Sequence, residues 1–187
     1  MVDAADTIVG RDGIDALTMR AVAAELGVAP MSAYRHVNGK DDLLVLLLDR
    51  AAQQIEVPEL PDAPRDRLTT LCTLLHDELV PRPWAVKVLA AGNLLGPSVL
   101  WLIEDIAEAF HGCGLDRPAA FEAYRIVWRY IVGELVVRHS ARDEPNRTGE
   151  ALAALDPERY PALTSAGPPQ PTFGRGLEAL LDGLTGR

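Results

Sequence analysis

Residues 18–37 read TMRAVAAELGVAPMSAYRHV. A helix-turn-helix requires two short helices at a steep angle, a tight turn that usually contains glycine, and a second helix with an exposed polar face. This stretch supplies each part. Thr18 stands where a side-chain oxygen can cap a first helix over about 18–26, and Val22, Ala23 and Leu26 fall on one apolar stripe. Ala23 is small where the helices approach, Gly27 can take the left-handed turn, and Val28 is expected to fill the space beneath. In a second helix over 31–37, Ala33 and Val37 point inward, leaving Pro30, Met31, Ser32, Tyr34, Arg35 and His36 towards solvent. Two readings explain that outward set. One is a DNA groove, with Ser32 and Tyr34 on phosphates and Met31 on thymine methyls; the other is the polar face of an ordinary helical hairpin.

Outward from this stretch the apolar period stays helical. Segments over 2–10 and 41–55 complete the first 50 residues, with Asp41 and Asp42 where negative charge favours a helix start. A proline-rich break from Val57 to Pro64 follows. Beyond it, 65–80 carries Leu68, Leu71, Leu75 and Leu79 on one face, 84–91 reads as a short helix, and 92–97 as a loop. Residues 98–112 are apolar over most of their circumference, with Trp101, Glu104, Asp105 and Glu108 on one strip. Residues 118–140 are apolar on nearly every side, as in a helix buried centrally or in an oligomer interface. The polar, Pro- and Gly-rich 141–171 reads as a mobile loop or lid with one helical turn near 157–163. A helix over 172–184, with Phe173, Leu177, Leu180, Leu181 and Leu184 on one face, closes the chain. Strand alternation and internal repeats are missing. The expected fold is all-α: an N-terminal three-helix helix-turn-helix head over 1–50 and a helical body over 51–187.

Composition narrows the function. The 187 residues include 18 basic and 27 acidic side chains, for a formal net charge of −9. That acidity argues against a non-specific coat on nucleic acid but leaves room for a small, well-aimed reading head. No apolar run is long enough to span a membrane and no basic-then-apolar leader opens the chain, so neither a span nor a signal peptide is expected. Cys72 and Cys113 lie far apart and form no metal or redox motif, which suits a reducing cytoplasm. Enzyme signatures are absent as well: there is no G-x-S-x-G, H-E-x-x-H, P-loop or dinucleotide turn. No catalytic residue, cofactor or metal is therefore expected.

The head closely resembles the tetracycline-repressor-like (TetR) family of bacterial transcriptional regulators. The resemblance runs from Ala4-Ala5 through Gly13 and Leu17-Thr18-Met19-Arg20 to Leu26-Gly27-Val28, then through Ser32-Ala33-Tyr34-Arg35-His36-Val37, Gly39-Lys40 and Leu43-Leu44. It implies that 31–37 is the recognition helix and that double-stranded operator DNA, pseudo-palindromic, is a partner. On that resemblance the DNA-binding set is Thr18, Arg20, Met31, Ser32, Tyr34, Arg35, His36 and Lys40. Thr18 and Ser32 match phosphate-contacting hydroxyls, Arg20 matches a position that reaches a base, and Lys40 matches a backbone clamp. His36 either joins the groove contacts or, neutral, caps its own helix. Two departures stand out. The chain opens on Met1-Val2-Asp3, almost at the first helix, so the family's basic arm is expected to be missing. Ala29 stands where many members carry a capping Ser or Thr, so the recognition helix is expected to fray, a loss of roughly 1 kcal/mol.

For the body the resemblance extends only to layout. It implies a homodimer through 118–140 and 172–184, and an unidentified small-molecule effector held among 65–80, 84–91, 98–112 and 118–140. Opposite the leucine stripe of 65–80, Thr69, Cys72, Thr73 and His76 form a semi-polar strip that could look into such a cavity. Trp84, Trp101, Tyr124 and Trp128 are rings suited to an apolar pocket and equally at home in the core. The expected ligand-binding set is thus Thr69, Thr73, His76, Trp84, Trp101, Tyr124 and Trp128. Arg125 and Arg129 either pair with Glu122 and Glu134 or meet an acidic ligand. The expected function is a DNA-binding repressor released by its effector. The alternative is a helical small-molecule or protein-binding module whose DNA head has decayed.

Overall fold

The computed structural model describes residues 1–34, 37–92, 94–140, 147–165 and 172–186, and among them every regular element is helical. Helices α1 (Val2–Asp12), α2 (Met19–Glu25), α3 (Pro30–Ala33) and α4 (Lys40–Gln53) form the N-terminal head, with a 3₁₀ turn at Ile14–Ala16. The remaining helices are α5 (Pro64–Leu79), α6 (Pro83–Ala90), α7 (Leu100–Gly112), α8 (Arg117–Ser140), α9 (Arg147–Ala153), α10 (Pro161–Thr164) and α11 (Phe173–Thr185), with a second 3₁₀ turn at Pro97–Val99. The all-α expectation therefore holds, with two amendments. Within the region read as a loop or lid, 147–153 is helical, and a short helix at Pro161–Thr164 stands near the expected turn.

The head closes on Ala5, Ile8, Leu17, Val22, Ala23, Leu43 and Leu47, all essentially buried. Thr18 caps α2, its Oγ1 accepting the backbone N–H of Ala21 at 3.0 Å. Gly27 ends that helix at φ 66°, where a side chain would be strained. Two neighbours differ from expectation: Leu26 and Val28 are 40% and 43% exposed, whereas Leu17, Met19 and Val37 are buried.

In the body α7 and α8 pack on each other and on α5, with Leu68, Leu71, Leu102, Ile106, Phe110, Ile131 and Leu135 at their junction. Helix α11 docks across α5 and α8 through the buried Leu177 and Leu181 and a set of polar contacts. Arg65, almost wholly buried, places Nη2 2.5 Å from Glu178 and 2.8 Å from Asp182, while Nη1 donates to Thr69 at 2.6 Å. His76 stacks on Phe173 with ring centroids 3.7 Å apart, its Nε2 lying 3.1 Å from Glu134 and Nδ1 2.8 Å from Asp77. Tyr130 Oη donates to the Phe173 carbonyl at 2.9 Å.

Head and body meet at α4. The Asp49 carboxylate accepts the backbone N–H of Ser98 at 2.7 Å, capping the turn that leads into α7, and its other oxygen accepts Gln53 Nε2 at 2.8 Å. Gly96 lies so close that a Cβ there would fall 2.6 Å from the Asp49 backbone nitrogen. Lys87 adds a tie from α6 to Asp15 at 2.6 Å, which holds the Asp15 carboxyl below its ordinary range. That tie is complete near neutrality and is lost only as pH falls through the lowered value. Because backbone at Asp49 cannot step aside as a side chain tip can, Gly96→Ala should destabilise the fold by about 1–3 kcal/mol, read as a lower urea midpoint with unchanged slope.

Candidate DNA-reading face and ligand cavity

The outward face of α2 and α3 presents Thr18, Arg20, Met31 and Tyr34, all exposed, with Lys40 opening α4 beside them. Met31 is 77% and Tyr34 50% exposed, a large apolar investment in solvent for side chains with no folding role there. Pro30 takes the first helical position of α3, where its missing N–H leaves nothing unsatisfied, in place of the capping hydroxyl absent at Ala29. Over the described residues α3 ends at Ala33, shorter than the expected 31–37 helix, and Tyr34 stands in the turn after it. Arg35, His36 and the Ser32 side chain lie outside the described residues.

Two cations here, Arg20 and Lys40, form no ion pair among the described residues, whereas Arg11 and Arg50 are spent on Asp12, Glu25 and Asp3. Lys40 donates one N–H to the Ile14 carbonyl at 3.3 Å and keeps two for another acceptor. Asp42 is occupied by the turn that follows α3, accepting both the backbone N–H and the Nδ2 of Asn38. Thr18 likewise has its oxygen on Ala21 and its hydroxyl hydrogen to give.

The second site is a cavity of about 400 Å³ enclosed by α4, α5, α6, α7, α8 and the 92–99 connection. Leu48, Leu79, Ala85 and Leu102 form its buried floor, and exposed Leu95, Leu100 and Phe121 rim its mouth. Of the seven residues expected to bind ligand, Tyr124 and Trp128 line it. The other five do not. Thr69 and His76 face α11, engaged with Glu178 and Glu134, and Thr73 lies on the same helix away from the lining. Trp84 and Trp101 are half-buried and pack on the core instead. Arg125 pairs with Glu122 at 3.1 Å, whereas Glu134 belongs to His76 rather than Arg129.

The sequence reading missed α4 as a wall: Leu48, Ala51 and Ala52 line the cavity, with Ile55 just past the end of the helix. It also missed the pair of polar residues at the end of α5. Arg82 Nη1 donates to Glu78 Oε2 at 2.7 Å and to the Glu78 carbonyl. Their i, i+4 spacing past the leucine stripe was the available signal. Burial pushes the Tyr124 phenol up to about 12, so it stays an O–H donor at neutral pH, and does the same to the Cys72 thiol. Among the described residues no His, Cys, Asp and Glu side chains gather as a metal site, and no helix is long and apolar enough to cross a membrane.

Comparison with known proteins places this arrangement. Residues 1–47 match the bacterial regulatory proteins of the tetR family, and residues 57–187 match the tetracyclin repressor-like C-terminal domain. The chain belongs to this family of DNA-binding transcriptional regulators. It is 33% identical over 203 residues to the HTH-type transcriptional repressor DrrR1 of Streptomyces coeruleorubidus, covering 98% of this chain and 75% of that protein. It is 32% identical over 197 residues to an HTH-type transcriptional regulator of Saccharopolyspora erythraea, covering 98% and 82%. Among solved structures, Streptomyces coelicolor ActR in complex with actinorhodin superposes with a TM-score of 0.84 at 25% identity, over 99% of this chain and 94% of that one. BioQ with its double-stranded DNA operator gives 0.74 at 25% identity, over 100% and 96%.

Removing the Thr18 hydroxyl tests the two functions of that residue. Thr18→Ala should cost about 1 kcal/mol through the lost cap, whereas Thr18→Asn, which restores a capping oxygen, should recover most of it in thermal melts. A phosphate contact from the same side chain would appear separately, as weaker DNA binding in Thr18→Asn at unchanged stability.

Proposed function

We propose that this regulator is a homodimeric, cytoplasmic repressor that holds a pseudo-palindromic operator through Thr18, Arg20, Met31, Tyr34 and Lys40 and lets go when a small molecule enters the cavity. One observation carries the reading: α4 belongs to both sites. Leu43, Leu44 and Leu47 are buried in the head core, while Leu48, Ala51 and Ala52, further along the helix, form a cavity wall that Ile55 continues just past the helix end. A ligand that displaces the far end of α4 has to displace the head with it. The boundary near residue 50 is then a division of labour along one helix. Operator-bound BioQ and actinorhodin-bound ActR support the two halves of the reading.

Pairing is supported by α8. Ile126, Gly133 and Val137 share one outward face, and Val137 is 69% exposed beside the docked α11. Two heads on one DNA face read half-sites about one turn apart, which a single short helix cannot do with useful affinity. Effector binding then shifts a population between two head spacings. A differential affinity of about 2–3 kcal/mol between them changes DNA affinity roughly 30- to 150-fold. No catalytic step is assigned to any residue.

Fluorescence anisotropy on labelled duplex from upstream of this protein's own gene tests the reading. Sub-micromolar binding that resists random competitor is expected, with Tyr34→Ala and Arg20→Ala each costing roughly tenfold or more. The slope of log affinity against log salt should be shallower in Lys40→Ala by about one unit. Equal, weak binding to every duplex tested across the genome's upstream regions would overturn the repressor reading in favour of a helical binding module with a decayed head.

A further inference from the structure

The cavity wall is specific enough to name a ligand chemistry, on the premise that this cavity is the effector site. Phe121, Tyr124 and Trp128 recur at i, i+3 and i+7 of α8, so they line the cavity as a ladder along one helix face. Phe121 is at the exposed rim, Tyr124 is buried within, and their rings stand 5.7 Å apart. Facing them are aliphatic side chains of α4, α5 and α7, which give a slot between an aromatic row and a leucine wall. Flat rings gain from such a slot both by burial and by offset contact with the aromatic faces.

Polar groups in the lining are few and unbalanced. Glu78 supplies the one carboxylate, and Arg82 already holds its Oε2. Among the hydrogen bonds of the described residues Arg82 is engaged through Nη1 alone, and the Tyr124 hydroxyl and the Trp128 ring nitrogen make none. These are donors, and Arg and Trp can only donate. A ligand is therefore asked for acceptors. Net charge argues for neutrality: the Glu78–Arg82 pair sums to zero, an anion at Arg82 lies beside the Glu78 carboxylate, and a cation at Glu78 lies beside the Arg82 guanidinium. A volume near 400 Å³ lies low in the roughly 300–1,000 Å³ range of small-molecule pockets, so the ring system is small.

We propose that the cavity takes a neutral, flat, fused-ring aromatic molecule carrying a ring carbonyl, its rings along Phe121, Tyr124 and Trp128 and its carbonyl oxygen bonded to Arg82. Trp128 is the one tryptophan in the lining, so a Trp84→Phe/Trp101→Phe protein reports occupancy by fluorescence without any DNA. Four probes share one tricyclic shape: xanthone, xanthene (which lacks the carbonyl), xanthone-2-carboxylate (an anion) and 9-aminoacridine (a cation at neutral pH). Xanthone should quench Trp128 and bind about tenfold more tightly than xanthene, the loss expected for one hydrogen bond from a charged donor. Both charged probes should bind more weakly than xanthone. Arg82→Gln should bring the xanthone-to-xanthene ratio close to one. Tyr124→Phe, which removes a single oxygen, should lower xanthone affinity less and leave a preference for xanthone. Ratios within each protein are insensitive to partial unfolding. Equal binding of xanthone and xanthene, tighter binding of either charged probe, or no quenching by any of the four would each overturn the assignment. If operator binding persists in that last case, the repressor reading survives without this ligand class; if the ratios hold but no operator is bound, the ligand assignment survives without the repressor reading.

Discussion

Helix α4 has to satisfy two packing environments with one rigid backbone. Its first half is fixed by Leu43, Leu44 and Leu47 in the head core, and its second half contributes Leu48, Ala51 and Ala52 to the cavity. Close-packed interiors transmit displacement rather than absorb it, so neither half can move alone. The contact with the 94–99 connection sharpens the constraint. Asp49 caps the turn into α7 from the middle of α4, and Gly96 rests directly on the Asp49 backbone. A helix held by side chains alone could roll in place; one held by a capping carboxylate and a backbone contact moves together with the start of α7. That start is itself cavity wall, through Val99, Leu100 and Leu102.

Helix α5 divides its work across its faces in the same way. Leu75, Glu78 and Leu79 look into the cavity, and Arg65, Thr69 and His76 fasten α11. Arg65 is buried with its carboxylate partners about half exposed, so the pair avoids the full desolvation cost of two buried ions. Stacking of His76 on Phe173 adds an apolar contact at the other end of the seam. The helices that would pair two subunits therefore lean on the same element that walls the cavity, which ties the ligand site to the α8–α11 surface as well as to the head.

Much of this was legible in the sequence because helices announce themselves by period. The leucine stripe of α5, the closing helix and the all-round apolar α8 all appear near their expected bounds, and Thr18 and Gly27 do at the helix-turn-helix what their chemistry favours. The cavity was harder to read for a physical reason. Its walls are mostly leucines and alanines that periodicity cannot tell from core, so attention fell on the semi-polar Thr69, Thr73 and His76, of which Thr69 bonds Glu178 of α11 and His76 meets Glu134 of α8. Polar residues on a half-buried helix face tend to answer other polar residues, and here the answering groups, Glu178 and Glu134, lie 109 and 58 positions away. Leu26 and Val28 failed for the converse reason: a local stripe marks residues as apolar but not how far the core reaches, and both stand partly in solvent.

Net charge also reads differently once partners are known. A chain at −9 is a poor general ligand for DNA, yet potential at a surface depends on which charges are free and near it, and screening confines that influence to roughly 8 Å at physiological salt. In the head, Asp3, Asp12, Glu25 and Asp15 are matched by Arg50, Arg11 and Lys87, and Asp42 is turned to the Asn38 backbone. Arg20 and Lys40 carry no such match among the described residues. Acidity elsewhere then has a use under the proposed reading: it would suppress loose binding to the DNA backbone, so that affinity would have to come from the few aimed contacts of α2, α3 and the start of α4. Specificity is a difference of affinities, and lowering the non-specific term raises it as surely as adding a base contact does.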